Sequence, residues 1–209
     1  ARELAREGDS DYHRSLASAR RDIMAAAQHD LVGEIDHRQS WALNASKEHP
    51  LPDCLSVERR MLGEAFLQSD CDEELLIHVT FIQKVRLSGI QIKAPATNGP
   101  KSVKLIVNVP SLDFDSAKST KTTQEVELTP EALVGNAKVD LKLALFNSVG
   151  ELTLLIEGNH ADEEETIINS LALWGSVIEI VGKRNDAPHL GKWSEDGGIE
   201  QYEKNASKK

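Results

Sequence analysis

From about residue 66 the apolar side chains recur at every second position, and Leu75, Ile77, Val79 and Phe81 would share one face of an extended strand. A face of that kind demands a second layer to cover it, which excludes an all-helical fold for this part of the chain. Val85 to Lys93 continues the run, with a slip at Gly89 from Val85 and Leu87 to Ile90 and Ile92, as a bulge would produce. The turn Pro95 to Pro100 ends it. Further alternating runs are Val103, Leu105, Val107, Val109; Val139, Leu141, Leu143, Leu145; and Leu152, Leu154, Ile156, with one or two more strands between Ser170 and Val181. Short helices are expected at Val57 to Glu64 and Pro130 to Leu133, the second opened by Thr129 as N-cap with Pro130 at its first position. Many short strands separated by turn signals predict an all-β antiparallel sandwich or barrel.

The ends read differently. Asp9 or Ser10 caps a pattern of Tyr12, Leu16, Ala19, Ile23 and Ala27 that predicts an amphipathic helix over residues 9 to 28. Residues 1–30 are thus expected to be a helical linker or extension, residues 31–182 the β domain, and residues 183–209, rich in Gly, Lys, Asp, Asn and Ser, a flexible tail. The first residue is Ala rather than Met, which suggests a processed or truncated chain.

Charge narrows the function. The net charge is −10, and residues 31–182 carry thirteen basic against twenty-three acidic groups, so no basic patch is available for phosphate-driven binding of nucleic acid. Aromatics are 4% of the chain, few for stacking bases or sugars. No apolar window suits a signal peptide or membrane span, and neither secretion nor membrane insertion is expected. Cys54 and Cys71, with sixteen residues between them, make no CxxC pair and are expected to be free thiols. The seven histidines, among them His29, His37, His49, His78, His160 and His189, come without HExxH spacing, and His78, opposite the apolar face of its strand, is expected to be a surface or half-buried structural residue. With no GxSxG elbow, GxGxxG or GxxxxGK[ST] motif, catalysis and nucleotide binding have no local frame.

Two acidic runs remain. Asp70, Asp72, Glu73 and Glu74 place four carboxylates in five residues before a strand, and Asp162, Glu163, Glu164 and Glu165 form a second run in a loop. Neither has the spacing of a calcium loop. The ordinary reading is a solvated turn, and the sharper one an acidic docking surface that steers a basic partner. These eight residues are the candidate protein-docking site; no catalytic, cofactor or metal residue is assigned.

The ordered stretches Gln68-Ser-Asp-Cys-Asp-Glu-Glu-Leu-Leu-Ile77, Gly99-Pro-Lys-Ser-Val-Lys104 and Phe146-Asn-Ser-Val149 ahead of Leu152-Thr-Leu-Leu-Ile156 closely resemble the PITH domain, the proteasome-interacting module named from thioredoxin-like proteins. Leu43-Asn-Ala-Ser46, the loop His49-Pro-Leu-Pro-Asp53 and Glu163-Glu-Glu-Thr166 fit in the same order, over about residues 31 to 182. The resemblance implies a jelly-roll β-sandwich of the galactose-binding-like kind, without enzymatic activity or cofactor, that associates with the proteasome regulatory particle in the cytoplasm and nucleus. It also implies either a stand-alone protein or the partner of an upstream thioredoxin domain. The competing readings are a sandwich holding a sugar or calcium at its loop end, and a redox protein using Cys54 and Cys71.

Overall fold

In the computed structural model the described residues are 28–62 and 65–178. The helix expected over residues 9 to 28, apart from Gln28, and the 183–209 tail lie outside them. The strands are β1 (His29–Asp30), β2 (Trp41–Leu43), β3 (Leu67–Gln68), β4 (Leu75–Lys93), β5 (Ser102–Val107), β6 (Gln124–Glu127), β7 (Lys138–Asp140), β8 (Val149–Ile156), β9 (Ile167–Ile168) and β10 (Ser170–Val177). The helices are short: a 3₁₀ turn (Leu31–Glu34), α1 (Leu51–Leu55), α2 (Val57–Leu62), α3 (Phe114–Ser119) and α4 (Pro130–Val134).

β4 organises everything else. At 19 residues it is well beyond the usual strand length of about 3–10, and its two halves pair with different neighbours. Residues 75–80 lie between β2 and β8, while residues 85–93 pair with β10 and β7. The register shifts between Thr80 and Val85, where the strand leaves one layer for the other. One layer therefore runs β2-β4-β8-β5-β6 and the other β1-β10-β4-β7, every pair antiparallel. The alternating residues named above meet between the layers: Leu75, Ile77, Val79, Phe81, Leu87, Ile90 and Ile92 of β4 join Val103, Leu105, Leu152, Leu154, Ile156, Leu171 and Leu173 in one core. The slip in alternation is a bulge. Trp174 opposes Gly89 and Gly175 opposes Leu87, so Ser88 is the extra residue, and its hydroxyl donates to the Trp174 carbonyl at 3.1 Å.

Three expectations need correction. The run Val139 to Leu145 is not one strand: β7 ends at Asp140, Leu141 still reaches the core, and Leu143 and Leu145 stand exposed. The backbone closes on itself there, with Leu145 N–H donating to Lys142 O and Phe146 N–H to Leu143 O, which removes those groups from any ladder. The segment after His49 is helix rather than loop from Leu51, because Pro52 falls in the first turn, where a missing N–H costs nothing. Asp113 and Thr129 cap α3 and α4 by accepting from Ser116 N–H at 2.8 Å and Ala132 N–H at 3.2 Å.

The third correction concerns His78. It does face away from the main core, but it is buried, because that outer face is covered as well. Leu76, Ile106 and Leu155 form a second apolar cluster under Leu112 and Ala117, flanked by Trp41 and Phe114. The His78 ring stacks on Trp41 at 4.9 Å, and its Nδ1 lies 3.0 Å from Thr153 Oγ1. Burial penalises the imidazolium and holds the His78 pKa below its ordinary 6.5, with Glu151 acting weakly in the opposite sense. The unfolded chain then takes up the proton first as pH falls. Stability attributable to this group is flat above about pH 6.5 and is lost as pH drops below that value towards the folded-state pKa. We expect denaturation midpoints measured from about pH 7.5 to 5 to fall less steeply in His78→Gln than in the parent; equal slopes would exclude His78 as the cause.

Candidate functional site

The two acidic runs are 88 residues apart between Glu74 and Asp162, yet the fold joins them. The ladder of β3 and β9 sets Leu67 opposite Ile168 and Gln68 opposite Ile167, which delivers the next residues, Ser69 and Thr166, to each other. Ser69 N–H donates to Thr166 O at 3.0 Å, and Thr166 N–H donates to Ser69 Oγ at 2.8 Å. The Thr166 hydroxyl then donates to the carbonyl of Glu73 at 2.7 Å. Ser69 and Thr166 are both buried. They act as a clasp between the loops.

Each loop is also held from its own side. Asn44, in the left-handed region with φ 58°, which Asn tolerates better than most residues, donates Nδ2 to Asp72 Oδ1 and to Glu74 O, each at 2.7 Å. Its Oδ1 accepts the N–H of Cys71 at 3.0 Å. In the second loop the buried Asn159 donates to the carbonyls of Glu163 at 2.8 Å and Glu165 at 3.1 Å, and accepts the Glu163 N–H at 2.9 Å. Backbone polarity is satisfied inward, so the carboxylates are left facing water. Asp70, Asp72 and Asp162 to Glu165 are exposed; Glu73 and Glu74 are half-buried.

Among the described residues, positive charge pairs with these runs at two points. Lys118 of α3 pairs with Glu74 at 2.5 Å, and that hydrogen bond raises the lysine pKa. Lys101 pairs with Asp162. Nearby, Lys104 pairs with Glu157 at 2.5 Å and is raised in the same way. Among the described residues Asp70, Asp72, Glu73, Glu163, Glu164 and Glu165 form no ion pair. Nor do any three His, Cys, Asp or Glu side chains among them converge to hold a metal. Asp72 is bound to Asn44 and Asp162 to Lys101, so the loops spend oxygens on the protein that a cation would need.

Asn44, Ser69, Asn159 and Thr166 carry this geometry, and the sequence assigns them no role. Three of them lie in the stretches that bear the resemblance, but their partners are as far as 97 residues away. The available signal was local: a Ser, Asn or Thr beside each acidic run. Replacing Thr166 with Val keeps the side-chain shape and strands the Glu73 carbonyl, which should cost about 1–3 kcal/mol. Chemical denaturation reads this directly, and a loss under about 0.5 kcal/mol would mean the clasp is not holding the loops.

The remaining candidates do not gather here. Cys54 is buried, its Sγ donating to Leu51 O at 3.3 Å, and Cys71 is exposed; the two form no disulfide with each other. Of the six described aromatic rings none is exposed: Trp41 stacks on His78, Phe66 on His49, Trp174 donates to Gln91, Phe114 packs against the second cluster, and Phe81 and Phe146 are in the core. No helix among the described residues is long and apolar enough to cross a membrane.

The PITH domain model matches residues 21–188. The chain belongs to the PITH domain family. It is 39% identical over 154 residues to a PITH domain-containing protein of Drosophila pseudoobscura, covering 73% of this chain and 72% of that one. PITH domain-containing protein 1 of Homo sapiens is 31% identical over 148 residues, 70% of this chain and 69% of the relative. Thioredoxin-like protein 1 of Schizosaccharomyces pombe is 31% identical over 153 residues, which are 71% of this chain but only 51% of the yeast protein; the PITH chain spans about half of that relative. Among solved structures, a family 32 carbohydrate-binding module of Clostridium perfringens NanJ in complex with galactose matches with a TM-score of 0.51 at 10% identity, over 70% of this chain and 98% of that one. A pair of such modules from Clostridium perfringens ZmpB, in complex with GalNAc, matches at 0.53 and 11%, over 74% of this chain and 38% of that one. At that identity the likeness is one of fold, the galactose-binding-like jelly roll.

Proposed function

We propose that this PITH domain is a non-enzymatic docking module that associates with the proteasome regulatory particle through its acidic loop end, in the cytoplasm and nucleus. The observation that carries the reading is the clasp that turns two distant acidic runs into one fixed surface, with six carboxylates lacking a cationic partner among the described residues. Such a surface orients a basic partner and speeds its approach, while a few buried contacts supply affinity. Family resemblance supports the proteasome as that partner, and the yeast relative's name supports a thioredoxin domain preceding the module in longer family members. Carbohydrate binding has weaker support, since it rests on fold alone.

The test is co-sedimentation with purified proteasome at low and high salt, using the full chain, a chain lacking residues 183–209, and Glu163→Lys/Glu164→Lys. These two side chains are exposed and in no ion pair among the described residues. We expect association at low salt that weakens with added salt and by about tenfold in the double variant. No association in low salt, or a double variant indistinguishable from the parent, would overturn the reading.

A further inference from the structure

The turn between β4 and β5 contains the chain's single Asn–Gly step, Asn98–Gly99. In this dipeptide the following backbone nitrogen meets the side-chain amide with least obstruction, because glycine has no Cβ. Three successive carbonyls of the turn hold the second acidic loop. Thr97 O accepts from Ala161 N–H at 3.1 Å, Asn98 O from Ile167 N–H at 2.9 Å and Gly99 O from His160 N–H at 3.1 Å. The Asn98 side chain adds a fourth bond, donating Nδ2 to Glu165 O at 3.2 Å. Position 99 must stay glycine: a Cβ there would lie 2.4 Å from Pro95 O and 2.6 Å from Leu133 Cδ1. The fold thus keeps a chemically labile step at the point that anchors the acidic loop.

We propose that Asn98–Gly99 is a site of spontaneous deamidation whose product releases that loop. The Gly99 nitrogen gives up its proton and attacks Asn98 Cγ; the Cγ–Nδ2 bond breaks and ammonia leaves, closing a succinimide. Water then opens the ring at either carbonyl, giving aspartate or isoaspartate, with no oxidant or reductant involved. In the folded chain both reacting groups are engaged, Gly99 N–H with Pro95 O at 3.0 Å and Asn98 Nδ2 with Glu165 O. The reaction therefore waits on local opening of the turn, which costs less than global unfolding. Aspartate has no donor for Glu165 O and sets a carboxylate against it. Isoaspartate lengthens the main chain by a methylene and takes the acceptor of Ile167 N–H out of line, between the two carbonyls that hold Ala161 and His160. These consequences follow whatever the loop binds.

The test is prolonged incubation of the full chain at mildly alkaline pH, with peptide mass spectrometry following the conversion of amide to acid. Asn98 is expected to convert faster than Asn147, which is exposed and precedes Ser148, and more slowly than Asn98 in a synthetic peptide of residues 94–103. Asn98→Asp, which supplies the product directly, is expected to speed hydrogen exchange at the His160, Ala161 and Ile167 amides about tenfold, the loss of a hydrogen bond of ordinary strength. Conversion at Asn98 no faster than at Asn147, or as fast as in the peptide, would overturn the proposal, as would exchange in Asn98→Asp unchanged from the parent. The mass measurement needs no variant to fold.

Discussion

Replacing Phe146 with alanine is expected to destabilise the domain by about 3–5 kcal/mol, a large part of what a chain of this size has to lose. Residues 142–145, 147 and 148 are all exposed, yet Phe146 between them is fully buried and is the largest side chain among the described residues with no access to water. Its ring belongs to the main core, and its carbonyl accepts the Leu87 N–H at 3.0 Å, just beyond the point where β4 passes from one layer to the other. The substitution removes the ring but leaves the Phe146 carbonyl bonded to Leu87 N–H, so collapse of the loop into the space is opposed. Guanidinium denaturation should show a lower midpoint at nearly unchanged slope. Leu145→Ala is the internal control: that side chain is 47% exposed, and its loss should stay within about 0.5 kcal/mol. Equal effects at the two positions would mean that the burial assigned to Phe146 is wrong.

That pair also shows what the sequence makes legible and what it hides. Alternation identifies the inward face of β4 correctly from Leu75 to Ile92, bulge included, because a period of two survives any choice of neighbour. It cannot identify the second covered face. Leu76, Ile106 and Leu155 sit out of phase with the main core and look like ordinary exposed leucines and isoleucines until α3 is laid over them, and His78 is misjudged for the same reason. The run ending in Leu143 and Leu145 fails in reverse, since a turn can carry alternating leucines without forming a ladder. β4 itself reads as two strands' worth of pattern, and nothing local says that one strand serves two layers. The acidic runs are plain in the sequence, but their union depends on Ser69 and Thr166, whose bonds span 97 residues. Short polar residues next to strands are too common to be singled out.

The other large effect is expected at Gly175. A Cβ there would lie 2.1 Å from the Arg86 carbonyl oxygen, 3.0 Å from its carbon and 3.1 Å from Leu31 Cδ1. The first two are main-chain atoms of the neighbouring strand, so relief cannot come from a side chain turning aside. The close approach is a consequence of the bulge: with Ser88 extra on β4, Gly175 crosses directly opposite Leu87 and the two backbones converge. Gly175→Ala must therefore push β10 off β4, and β10 is the strand that joins β1 to the rest of its layer. We expect a loss of at least about 3 kcal/mol, at the upper end of what overpacking costs, because the clash is with backbone. Gly158→Ala, where a Cβ meets nothing within 4 Å, should be neutral or gain a few tenths of a kcal/mol by restricting the unfolded chain. If Gly175→Ala unfolds within about 1 kcal/mol of the parent, the bulged register between β10 and β4 is incorrect. The crossing that carries β4 between the layers would then have to be redrawn, and with it the course of the strand that leads into the turn at Asn98.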